Sequence, residues 1–273
     1  MSRNFEMLRR LQKELEGVPA TEETNNPLAR NYPTFGQPGN VRLDPNGSTP
    51  EELSKLVERI FFSRGKASAR VLAFAGVDDG DCCSKLITEA AVTLARMERG
   101  RVCLVDAYFH SPSLSEFLDL GHPCGLVEAS QAGGPIMDFA IPLRDGKLSL
   151  LPWGSPEAGA TIRLPLDRVK QWLDELSHKF GYVMVNAPPL NRFAEGIAFG
   201  QLSDGSVPVF DRSATEPAEA LRQLERLNES RVRVYGPVWS YGHFRKDEAD
   251  AAREMQRAIE LSFVPQVRAA SNV

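Results

Sequence analysis

Short apolar runs punctuate this chain at residues 70–75, 101–105, 148–151, 182–185, 205–210 and 232–239, mostly without an alternating polar position. Continuous runs of that length predict strands buried on both faces. Between and after them, apolar residues fall at helical spacing over 84–97, 165–180, 216–227 and 246–259, which predicts helices. The alternation predicts an α/β fold, a mostly parallel, doubly wound sheet sandwiched by helices, with ligands at the carboxyl ends of the strands. Thr49 and Pro50 supply an N-cap and a proline at the first helical position, so the folded domain is expected to open with a helix over 51–62.

The segments outside that domain have a different pattern. Phe5, Leu8, Leu11 and Leu15 lie among charged residues at a spacing that predicts a short amphipathic helix over 3–16, able to dock on the domain or on a partner. From Gly17 to Ser48, proline, asparagine, glycine and threonine predominate and periodicity fades, as in a flexible linker. The expected organisation is an N-terminal helix and linker over 1–48, the α/β domain over 49–262 and a tail over 263–273. No internal repeat is visible.

Composition narrows the function classes. With 273 residues and 42% hydrophobic residues, the chain can build a sizeable core. A net charge of −4 and the absence of a basic run argue against nucleic acid or an acidic lipid surface as partner. Neither a signal peptide nor the run of about 20 apolar residues that spans a membrane is found, so a cytoplasmic location is expected. Cys82, Cys83, Cys103 and Cys124 form neither a disulfide framework nor a spaced metal quartet and are expected to be free thiols.

The candidate chemistry lies after the first of these apolar runs. Residues 71–85 have the strand, turn and helix start of a phosphate-binding loop, in which glycines admit the phosphates, a lysine neutralises them and a Ser or Thr hydroxyl holds magnesium. Gly80 and Ser84 remain, whereas Cys82 stands at a glycine position and Cys83 at that of the lysine. Asp78, Asp79 and Asp81 add three carboxylates where a polyanion would sit. Two like charges about 4 Å apart repel by several kcal/mol at an effective dielectric of 20, so nucleotide binding is expected to be weakened or lost. Asp106 ends the second strand, either as a base or metal partner or as a buried cap of the next helix. Asn186 ends a later strand where an acidic residue near the magnesium would be expected.

In this order and spacing the motifs resemble the bacterial tyrosine kinases of capsule and exopolysaccharide synthesis, a branch of the deviant P-loop ATPases that includes the MinD and ParA groups. The likeness covers roughly residues 50–240. It is carried further by Leu104-Val105-Asp106-Ala107, Ser111-Pro112-Ser113-Leu114, Gly125-Leu126-Val127-Glu128 and Leu151-Pro152-Trp153-Gly154. It continues through Tyr182-Val183-Met184-Val185-Asn186-Ala187-Pro188-Pro189 and Leu202-Ser203-Asp204-Gly205. Against the family pattern, the loop lacks its lysine, Tyr108 replaces an acid, His110 replaces a basic residue and Asn186 replaces an aspartate. Glu51, Ser54 and Val57 stand where the family carries a Glu and two Arg for ring assembly. No tyrosine follows Tyr241, so the family's phosphorylated tail is missing.

The resemblance therefore implies a catalytically inactive, kinase-like P-loop protein with no catalytic residue retained. Gly80, Asp81, Cys82, Cys83 and Ser84 would be a vestigial nucleotide loop, and Asp106 and Asn186 vestigial motif positions. No cofactor is expected, Mg-ATP or Mg-ADP being the candidates only if the loop still works. The implied partners are the cytoplasmic tails of an inner-membrane polysaccharide copolymerase, and also an active kinase homologue. The alternatives are an active ATPase or tyrosine kinase that recruits Lys85, Arg101 or Arg192 as its cation, and a MinD-like or ParA-like positioning ATPase. His110, His122, His178 and His243 lack a ligand spacing, so surface or helix-end roles outweigh metal binding. Trp153 and Trp239 are read as packing residues before partner contacts.

Overall fold

The computed structural model describes residues 41–42, 50–62, 69–77, 82–97, 100–112, 114–118, 120, 123–143, 146–155, 164–211 and 214–240. Within them, strands β1 (Val41–Arg42), β2 (Val71–Gly76), β3 (Val102–Asp106), β4 (Ile141–Leu143), β5 (Leu148–Leu151), β6 (Tyr182–Ala187), β7 (Ser206–Asp211) and β8 (Val238–Ser240) form one sheet. Its order is β1-β8-β7-β2-β6-β3-β5-β4, and every pairing is parallel except that of the edge strand β4 with β5. The expected doubly wound α/β architecture is therefore present.

Helices cover both faces because β2, β3 and β5 to β7 are apolar on both. Leu72, Phe74, Leu104, Met184 and Val207 face a core closed by α1 (Pro50–Phe61) and α2 (Cys82–Arg96). Val71, Ala73, Val105, Val183 and Val185 face a second core, closed by α5 (Leu166–Lys179), α6 (Ala194–Leu202) and α7 (Pro217–Glu229). The short helices α3 (Leu114–Phe117) and α4 (Leu126–Ala132) follow β3. Successive strand residues alternate between the two cores, so a slip of one register would exchange them.

Several expectations are corrected in detail. Only Val238 and Trp239 of the apolar run 232–239 enter a ladder strand, Val238–Ser240, because Gly236 turns at φ 114° and Pro237 lacks a donor. Two residues of the stretch read as linker, Val41 and Arg42, pair with Val238 and Trp239. Helix α6, strand β4 and helices α3 and α4 were not expected. The helices expected over 3–16 and 246–259 and the tail over 263–273 lie outside the described residues. No helix among the described residues is long and apolar enough to cross a membrane.

Candidate functional site at the carboxyl edge of the sheet

Three elements meet where β2, β6 and β3 end. Helix α2 starts at Cys82 and brings Ser84 over the sheet, while the paired strands β3 and β6 place Asp106 beside Asn186. The three side chains are buried, with exposures of 1% for Ser84, 0% for Asp106 and 1% for Asn186. The Asn186 Nδ2 donates to Ser84 Oγ at 3.1 Å and to Asp106 Oδ1 at 3.2 Å. Asp106 also accepts from the backbone N–H of Tyr108 at 3.4 Å and of Leu114 at 3.0 Å. Its carboxylate thus tethers the start of α3, the helix-anchoring alternative of the two left open by sequence.

Burial pushes the Asp106 carboxyl up to about 7, against the opposing pull of the hydrogen bonds from Leu114, Asn186 and Tyr108. No cationic group is among the causes of that shift, and desolvation outweighs the hydrogen bonds. Cys83, where the family carries its lysine, is buried in the core between α2 and the sheet. Burial raises its thiol well above the ordinary value, the neighbouring Cys82 adds to this, and a backbone hydrogen bond at Gly76 opposes it. Its thiolate is thus disfavoured despite the helix start. All four cysteines are free.

The donor set bears directly on magnesium. A divalent cation needs oxygen lone pairs directed at it. Here one amide nitrogen directs two N–H groups at the oxygens of Ser84 and Asp106, so the amide turns donors rather than lone pairs toward the site. The arrangement suits an amide bridge rather than a metal. Asp78, Asp79, Gly80 and Asp81 of the loop lie outside the described residues.

An aromatic layer that was not anticipated joins the neighbouring loops. His110, after β3, stacks on Phe193, before α6, with centroids 3.8 Å apart at 15°. Phe109 lies 4.2 Å from His110 and 5.4 Å from the buried Trp153, after β5. The Arg192 guanidinium sits over Phe193 at 5.5 Å. The sequence signal was present in Tyr108 and His110, read as replacing an acid and a basic residue, but Phe193 had no such marker. Trp239 likewise packs, against Phe210 at 4.9 Å.

Other candidates lie elsewhere. Arg101 precedes β3 at the opposite edge of the sheet, donating to the Lys179 carbonyl at 2.9 Å and covering Phe180, so it is no substitute for the loop lysine. Lys85 is half-buried one residue beyond Ser84. Val57, at a ring-assembly position, is fully buried in the α1 core. His178 Nδ1 contacts the Asp174 carbonyl within α5, and His122 and His243 lie outside the described residues. No cluster of metal-binding type occurs among the described residues.

Comparison with known proteins follows this geometry. Over 186 residues the chain is 23% identical to a tyrosine-protein kinase, ptk, of Acinetobacter johnsonii, a match covering 68% of this chain and 25% of that protein. The chain therefore matches about a quarter of that relative's length. Over 210 residues it is 25% identical to the tyrosine-protein kinase CpsD of Streptococcus agalactiae, covering 71% of this chain and 90% of that one. No protein-family model matches. The fold superposes on the chimerical protein CapA2B2 with a TM-score of 0.65 at 16% identity, over 76% of this chain and 95% of that one. It also superposes on the kinase domain of the Escherichia coli tyrosine kinase ETK, with a TM-score of 0.65 at 17% identity, over 74% and 79%. MinD of Aquifex aeolicus follows at 0.51 and 17% identity, over 71% and 78%.

Proposed function

We propose that this chain, a relative of the bacterial tyrosine kinases in sequence and fold, is an inactive kinase-like P-loop protein that serves as a regulatory or scaffolding partner in exopolysaccharide or capsule synthesis and export. The observation that carries the proposal is the Asn186 amide bonded to both Ser84 and Asp106, the two side chains that a nucleotide-bound magnesium would need. Cys83 in place of the loop lysine, buried and disfavoured as a thiolate, supports it from the phosphate side.

Phosphoryl transfer is largely positioning and charge neutralisation by lysine and metal. At the carboxyl edge of this sheet the corresponding positions hold a neutral thiol and a neutral amide. The side chains instead bind one another: Asn186 ties α2 to β3, Asp106 ties β3 to α3, and Phe109, His110, Trp153 and Phe193 layer the loops together. What remains is a face held together by its own side chains and proposed for docking, with the cytoplasmic tails of a polysaccharide copolymerase and an active kinase homologue as the proposed partners. Recruitment to the inner membrane then comes from the partner.

A kinase assay on the full chain, followed by capture with copolymerase tail peptides, tests both halves. The expected outcome is no phosphotyrosine on the chain or on the peptides, together with saturable binding of the tails that is unchanged by Mg-ATP. Phosphotyrosine formation by the native chain contradicts the inactive half, and failure of every cognate tail to bind contradicts the scaffolding half.

A further inference from the structure

We infer that Asn186 is a built-in cross-link that performs the structural task of a cation, holding helix α2, strand β3 and strand β6 together at the carboxyl edge with no metal required. The inference goes beyond the proposed function, since it concerns what holds the fold and stands whether or not a partner binds. Its basis is a match of donors and acceptors. The amide nitrogen of Asn186 has two hydrogens, and two buried acceptors from two other elements lie at 3.1 and 3.2 Å. Asp106 receives two further backbone donors, so both of its oxygens accept hydrogen bonds from the protein. The Ser84 backbone is held within α2, its carbonyl accepting from Thr88 Oγ1 at 2.7 Å.

An aspartate at position 186 has nearly the same shape and opposite consequences. It removes both donors and sets a second carboxylate against Asp106 in a site almost closed to water. Two carboxylates at that distance cannot both ionise unless a cation lies between them. The side chain at 186 therefore decides whether the edge closes by its own two donors or needs a bound cation or an extra proton to close.

Thermal unfolding of the full chain, in chelator and in millimolar magnesium chloride, tests this with the native protein and Asn186→Asp. The native chain is expected to melt at the same temperature in both. Asn186→Asp is expected to melt roughly 5 °C or more lower in chelator and to regain most of that loss in magnesium. An Asn186→Asp protein as stable as the native chain in chelator overturns the inference, as does a native chain that itself gains several degrees from magnesium. If the variant yields no folded protein in either buffer, amide exchange of the native chain decides. Protection over residues 82–90 and 106–114 that is equal in chelator and magnesium supports the cross-link, and protection acquired only with magnesium overturns it.

Discussion

Asp106 is the residue on which the energetics of the site turn. Its carboxyl is raised by burial to about 7, whereas in the unfolded chain it returns to about 3.8. Between those values the native state holds a proton that the unfolded state has released, so stability falls as pH rises from about 4 to about 7 and is level above. The full shift corresponds to about 4 kcal/mol. Urea unfolding at several pH values should show this decline in the native chain, and Asp106→Asn should flatten it. A decline of equal size in Asp106→Asn would place its origin elsewhere. Sequence alone left two roles open for this residue because a strand-end carboxylate looks the same in both. The hydrogen bond that it accepts from Leu114 N–H shows the capping contact, from a neighbour that the strand-end motif alone does not identify.

Among elements, the docking of α4 on the loop after β5 explains two motifs that look unrelated along the chain. Leu126 N–H donates to the Pro152 carbonyl at 3.0 Å and Val127 N–H to that of Trp153 at 2.9 Å. Glu128 accepts from Gly125 N–H at 2.6 Å and from Ser155 N–H at 2.9 Å. Gly154 sits at φ 103°, and a Cβ there would lie 2.2 Å from Glu128 Oε2. Gly154→Ala should therefore lower stability by about 2–3 kcal/mol, adding displacement of Glu128 to backbone strain. Gly146→Ala, at φ 66° with nothing within 4 Å, should cost only about 1 kcal/mol. Equal urea midpoints for the two variants would show that the Glu128 contact adds nothing.

The legibility of these elements followed their physics. Strands buried on both faces leave long apolar runs, and β5 has the bounds that its run predicted. Helix α6 left no such signal, being apolar on several sides and broken in pattern by Gly196 and Gly200. Strand β4 is three residues long and contains Pro142, tolerated because it lies at the sheet edge. The candidate site was legible as substitutions at Cys83 and Asn186, but not as geometry. Neither the double hydrogen bond of Asn186 nor the stack of His110 on Phe193 can be read from residues 80 or more positions apart.

For the whole molecule, the eight-stranded sheet of the described residues carries at its carboxyl edge three buried side chains, Ser84, Asp106 and Asn186, joined by hydrogen bonds. A nucleotide switch needs an edge that opens and closes with its ligand, and differential affinity for two states is what drives it. In the proposed scaffolding role, the edge cross-linked by Asn186 and layered by Phe109, His110, Trp153 and Phe193 is the docking face, and no nucleotide is needed to form it. The most direct test is a calorimetric titration of the native chain with Mg-ATP and Mg-ADP. The account predicts no saturable heat at micromolar nucleotide, and binding at micromolar affinity would contradict it.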